Sequence, residues 1–92
     1  MPRYFIDAAV GVRDQRDLEG VIVLDDLSAH ELAVATLHDL ARIATAEGRE
    51  EPLSATVRTG DGRILCTVSM TIQTHWCRDL GLAIDRTLTP AT

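Results

Sequence analysis

From Leu53 onward the chain alternates between apolar and polar residues over two runs separated by Gly60-Asp61-Gly62. Leu53, Ala55 and Val57 alternate with Ser54, Thr56 and Arg58. After the turn, Ile64, Cys66, Val68, Met70 and Ile72 alternate with Leu65, Thr67, Ser69, Thr71 and Gln73. A period of two is that of a strand with one covered face, and the Gly-Asp-Gly link holds residues that tolerate positive φ in a hairpin. The pattern predicts a long antiparallel hairpin, with its second strand running from Arg63 to Thr74. One face of that hairpin meets water or a partner; the other must be covered by an apolar surface from elsewhere in the chain.

The segment before it supplies that surface. Ala29, Leu32, Ala33, Thr36, Leu37, Leu40, Ile43 and Ala44 fall on one broad face at helical spacing. Ser28-Ala29-His30-Glu31 reads as a capping box, with Leu27 and Leu32 placed as a hydrophobic staple. Asp25 and Asp26 stand near the positive end of the helix dipole, and Gly48 stands where a left-handed residue ends a helix. The expectation is an amphipathic helix over Ala29–Ala46, capped by Ser28.

The N-terminus reads as a second strand pair. Arg3–Ala9 alternates Tyr4, Ile6 and Ala8 with Phe5, Asp7 and Ala9. Val10-Gly11-Val12 turns the chain, and the polar stretch to Asp17 returns as a weak edge strand. Leu18-Glu19-Gly20 breaks the pattern, and Val21–Leu24 continues a strand or leads to the helix. The expected fold class is α+β: a β-β-α-β-β antiparallel sheet with one amphipathic helix packed on one face. Residues 1–77 are read as one domain and 78–92 as a partly ordered C-terminal tail.

A chain of 92 residues buries a modest core. Aromatics are only 3 % of it, so that core must be aliphatic. The net charge is -5, and arginines sit beside acids at Arg13-Asp14, Arg16-Asp17, Arg49-Glu50 and Arg78-Asp79. Nucleic-acid binders instead cluster bases to neutralise phosphates, so no nucleic acid is expected. The roughly 20 apolar residues of a membrane span are missing, as is a hydrophobic signal core. Two cysteines make no disulfide framework. A cytoplasmic protein is expected.

The opening Met1-Pro2-Arg3-Tyr4-Phe5-Ile6-Asp7 and the later Asp17-Leu18-Glu19-Gly20 resemble a family of short bacterial proteins of unknown function. Its members begin M-P-R-Y-F-F-D and carry a D-x-E-G step before a helix. Ile6 departs from the usual second aromatic, and the tail past Gln73 is longer than usual. The resemblance implies no activity and transfers no site residue. A strand pair, then Leu24-Asp25-Asp26-Leu27, then a helix also resembles the antitoxin-like modules with a partial ribonuclease-H fold. That likeness implies a module without ribonuclease activity that binds a small toxin.

Candidate chemistry is sparse. His30, His38, His75, Cys66 and Cys77 are the soft ligands. His30 and His38 are not spaced as a helical metal pair, and His75 with Cys77 gives two ligands where structural zinc takes four. Cys66 falls on the apolar strand face and is read as a small hydrophobe. Asp7, Asp14, Asp17 and Glu19 can gather on the first hairpin, as acid–base pairs and Mg²⁺ sites do, or line a solvated edge. No catalytic residue, cofactor or metal is expected. The reading is a small non-enzymatic module for protein–protein contact or oligomerisation, most simply a homodimer. Trp76, Leu80, Leu82, Ile84 and Leu88 are the candidate interface. The alternatives are an antitoxin-like module with a small protein partner, and a small enzyme or ligand-binding domain using the acidic hairpin.

Overall fold

The structure, a computed structural model, describes residues 1–77. Its elements are β1 (Arg3–Val10), β2 (Arg13–Gln15), β3 (Val21–Ile22), α1 (Asp26–Ala46), β4 (Leu53–Thr59) and β5 (Ile64–Met70). The class is the expected α+β, with a fifth short strand. All pairings are antiparallel, in the order β2-β1-β4-β5, and β3 joins β1 beside β2.

The alternating face of β4 builds the core. Leu53, Ala55 and Val57 are buried beneath α1. One cluster joins Ala55 and Val57 to Tyr4, Ala29 and Ala33; another joins Leu53 to Leu37 and Ala44. Fully burying a Leu or Val side chain contributes about 1.5–3 kcal/mol. Alanines at Ala29, Ala33, Ala44 and Ala55 add little area each, but their small size lets the helix lie close to the sheet.

The helix starts earlier than its pattern suggests. Its N-cap is Asp25, whose carboxylate Oδ1 accepts the Ser28 amide at 2.9 Å. The expected Ser28 cap is therefore corrected: Asp-x-x-Ser outcompetes Ser-x-x-Glu because a carboxylate is the stronger acceptor for an orphan amide. The staple is corrected with it, since Leu27 lies inside the first turn, 65 % exposed. The other end is as expected. Gly48 is left-handed at φ 73°, Gly48 N–H donates to Thr45 O, and Arg49 N–H donates to Ala44 O. That is the six-to-one and five-to-two pairing of a Schellman ending.

Two expectations for the last strand fail for local reasons. A bulge between Val57 and Arg58 sets Arg58 opposite Ile64. This turns Ile64 out to 64 % exposure and brings Leu65 against the core, because a bulge shifts the side-chain phase by one. The strand also stops at Met70 rather than Thr74. Met70 pairs with Leu53, the first residue of β4, and the preceding Pro52 has no amide to extend the ladder.

Candidate functional site

The residues that open the chain converge on one corner of the sheet. Phe5 and Asp7 lie on the face of β1 turned away from α1, and register places Phe5 opposite Arg58. The Arg58 guanidinium grips Asp7 with both arms: Nε donates to Oδ2 at 2.6 Å and an Nη to Oδ1 at 3.1 Å. Its plane lies 4.9 Å from the Phe5 ring centroid, within cation–π range. The same guanidinium donates to the Asp17 carbonyl at 3.1 Å.

Asp17 occupies a gap in the ladder. β1 pairs with β3 through Tyr4 and Val21, and with β2 through Ala8 and Gln15. Between those positions the Ile6 amide has no strand opposite, and it donates to Asp17 Oδ2 at 3.0 Å. Asp17 Oδ1 accepts the Glu19 and Gly20 amides at 3.2 and 3.0 Å, closing a tight turn. The Asp17 amide donates to Asp7 Oδ1 at 2.9 Å, and Arg3 donates to the Glu19 carbonyl at 2.6 Å. Gly20 sits at φ 76°, where a Cβ would stand 2.8 Å from the Tyr4 carbonyl oxygen. Only glycine fits that approach without strain.

The electrostatics follow. The Arg58 hydrogen bonds hold the Asp7 carboxyl below its usual range, against an opposing push from burial. For Asp17, burial pushes the carboxyl up, but the amides of Ile6, Gly20 and Glu19 together outweigh it and the net shift is down. Elsewhere, the Tyr4 hydroxyl donates to Asp26 Oδ1 at 2.6 Å. That bond, with burial and the charges of Asp26 and Asp25, pushes the phenol up to about 12.

The corner is held together by hydrogen bonds within the chain. Every carboxylate oxygen of Asp7 and Asp17 already accepts a hydrogen bond from this chain. Asp7 Oδ2 and Asp17 Oδ2 each accept one such bond, and the two Oδ1 atoms accept two each. Of the four acids read on the first hairpin, the structure unites Asp7 and Asp17 and leaves Asp14 and Glu19 exposed. Among the described residues, no three His, Cys, Asp or Glu side chains gather as metal ligands do. Cys66 is half-buried against the core, as expected of a small hydrophobe. Cys77 Sγ lies 3.9 Å from the His75 carbonyl oxygen, and His38 and His75 are exposed.

Arg58 is the site residue that its local sequence does not mark. Its position on the polar face of an alternating strand was visible, but its pairing with Asp7 depends on a register between segments fifty-one residues apart. Leu24-Asp25-Asp26-Leu27 forms the helix start, with both leucines exposed. Beside the corner, an open groove of about 480 Å³ runs between β1 and α1, floored by Ile6, Ala8, Leu18 and Leu40. Of the candidate interface residues, Trp76 is 60 % exposed, and Leu80, Leu82, Ile84 and Leu88 lie outside the described residues.

The description "Domain of unknown function (DUF6894)" matches residues 3–71. The chain belongs to this family. The match begins at Arg3 and takes in the whole Arg3–Gly20 corner and Arg58, so the residues behind the resemblance fall, in this DUF6894 chain, on a structural lock. No curated protein and no solved structure matches the chain. No helix among the described residues is long and apolar enough to cross a membrane.

Proposed function

We propose that this DUF6894 chain is a non-enzymatic module whose work is protein–protein contact, and that it acts as a homodimer. The observation that carries this reading is the apolar surface left open on so small a core. Leu18, Leu24, Leu27, Ile64 and Trp76 are each 60 % exposed or more. Single exposed leucines are ordinary, but several on a domain this small add up to surface that partners usually cover. The engagement of Asp7 and Asp17 supports the same reading, because acids already bonded within the chain are less available for acid–base work or metal binding.

The test is the mass of the full-length protein by light scattering after gel filtration, across a dilution series. The expected result is a mass of two chains that falls to one on dilution. A chain that stays monomeric up to high concentration overturns the proposal.

A further inference from the structure

The two outer edges of the sheet are built on opposite plans. The β1 side is closed: β2 has three residues, all exposed and two of them charged, and Asp17 plugs the remaining Ile6 amide. Short, charged or plugged edges are how proteins prevent strand pairing. On the other side β5 has seven residues, Ile64-Leu65-Cys66-Thr67-Val68-Ser69-Met70, with no charge and no proline. Among the described residues no strand lies beyond it. Residues 64–77 form the longest run in the chain free of Asp, Glu, Lys and Arg.

The backbone phase tells which groups face outward. The Ile6 amide points away from β4, toward Asp17. Backbone groups alternate in direction along an antiparallel strand, so Phe5, Asp7 and Ala9 address Arg58, Thr56 and Ser54 across the β1–β4 seam. Ala55 and Val57 then address Val68 and Cys66. The Thr59 amide, donating to the Arg63 carbonyl at 2.8 Å, has the same phase. Thr67 and Ser69 are left with their amides and carbonyls aimed at the open edge, while their side chains stand on the face opposite α1, where Thr67 Oγ1 meets Thr56 Oγ1 at 3.1 Å.

We infer that the β5 edge is completed by β5 of a second copy, antiparallel about a two-fold axis, joining two sheets into one. This deepens the homodimer reading and rests on it. Three observations favour a second copy over another occupant. The edge is uncharged in a chain of net charge -5, so it is the side on which two copies approach with least repulsion. The closed β2 edge cannot take part, so pairing stops at two rather than growing into a filament. Antiparallel symmetry also sets exposed Ile64 of one copy beside the uncharged stretch after Met70 of the other, where Ile72 and Trp76 lie. A strand seam alone is smaller than the roughly 1,200 Å² of a stable interface, and these flanks enlarge it. Because Thr67 and Ser69 carry the outward groups, they must pair with each other or with themselves, which puts both helices on the same side of the joined sheet.

The experiment pairs amide exchange followed by NMR with one substitution. In the concentrated wild type the Thr67 and Ser69 amides should exchange slowly, and on dilution to monomer at least tenfold faster. Cys66 and Val68, bonded to β4, should stay protected throughout. Thr67→Pro removes an outward amide and no β4–β5 bond, so it should halve the mass while far-UV circular dichroism keeps the wild-type spectrum. A wild type that never dimerises overturns the homodimer reading itself. A dimer in which Thr67 and Ser69 exchange fast, or which a folded Thr67→Pro leaves intact, keeps that reading and overturns the β5 seam. If the two amides are protected at every dilution and lose protection when residues 78–92 are deleted, the chain covers its own edge and the second copy is overturned.

Discussion

Among the described residues, one edge of this sheet is over-determined and the other is bare. Along the outer side of β1, two short strands, an aspartate plug, an arginine clamp and a positive-φ glycine hold one turn in place. Along β5 none of these devices appears among the described residues, although it is the longer of the two edges. Both edges face the same hazard, since unpaired amides and carbonyls invite another strand. The described residues thus protect one edge with several contacts and leave the other uncharged. The lock also has a second effect. It ties Asp7, Asp17 and Arg58, on three separate stretches of chain, into one unit, which helps a small aliphatic core that has little margin.

The comparison can be broken hardest at the plug. Asp17→Ala leaves the Ile6, Glu19 and Gly20 amides without their acceptor and should cost about 3 kcal/mol, in line with losing charge-assisted bonds to three amides, two of them half-buried. Urea denaturation measures it. A loss under about 0.5 kcal/mol would mean that water replaces the carboxylate and that the two edges differ little in how firmly they are held.

Acid should reach the same lock more gently. Asp7 and Asp17 both have folded-state pKa values below their unfolded ones. Their contribution is therefore complete above the ordinary carboxylate value of about 3.9, and it is lost as pH falls below that toward the folded values. Stability measured from pH 6 to pH 2 should drop in this window for the wild type, and less steeply for Asp17→Ala. Parallel curves would place the acid sensitivity elsewhere.

A control away from both edges sharpens the contrast. Asp25→Ala removes the helix cap and should lower Tm by roughly 4–8 °C, as loss of a typical N-cap does in a domain of this size. Ser28→Ala should change Tm much less, because Ser28 contributes its backbone amide to the cap. Equal effects would restore Ser28 as the capping residue.

The smallest effect is expected on the bare edge. Thr67→Lys places a charge on an exposed position and should move the stability of the isolated chain by no more than about 0.5 kcal/mol. A loss of 2 kcal/mol under monomeric conditions would show that β5 depends on its outer face within one chain.

Local pattern carried much of the architecture. The alternation in β4, the helical face around Leu37 and the glycines at both hairpins and the helix end are short-range signals, and the helix and the two hairpins form in the stretches they mark, with some ends displaced. The misplacements are equally local in cause. Two overlapping capping patterns competed at Asp25 and Ser28, and a bulge invisible to a period-two count exchanged Ile64 for Leu65. Asp7 and Asp17 were legible only within a group of four acids with Asp14 and Glu19, and the partners that engage them were not.

Element types, an aliphatic core and a one-helix cover follow from spacing and composition, because the period of a pattern and the size of a side chain are properties of the sequence itself. Register is a different kind of quantity. Whether Asp7 meets Arg58, whether Asp17 reaches the amide of Ile6, and which backbone groups of β5 face outward all depend on how distant strands align. A shift of one residue would reverse each answer while leaving every local propensity unchanged. Tertiary pairing therefore decided what the acids do and which edge is left open.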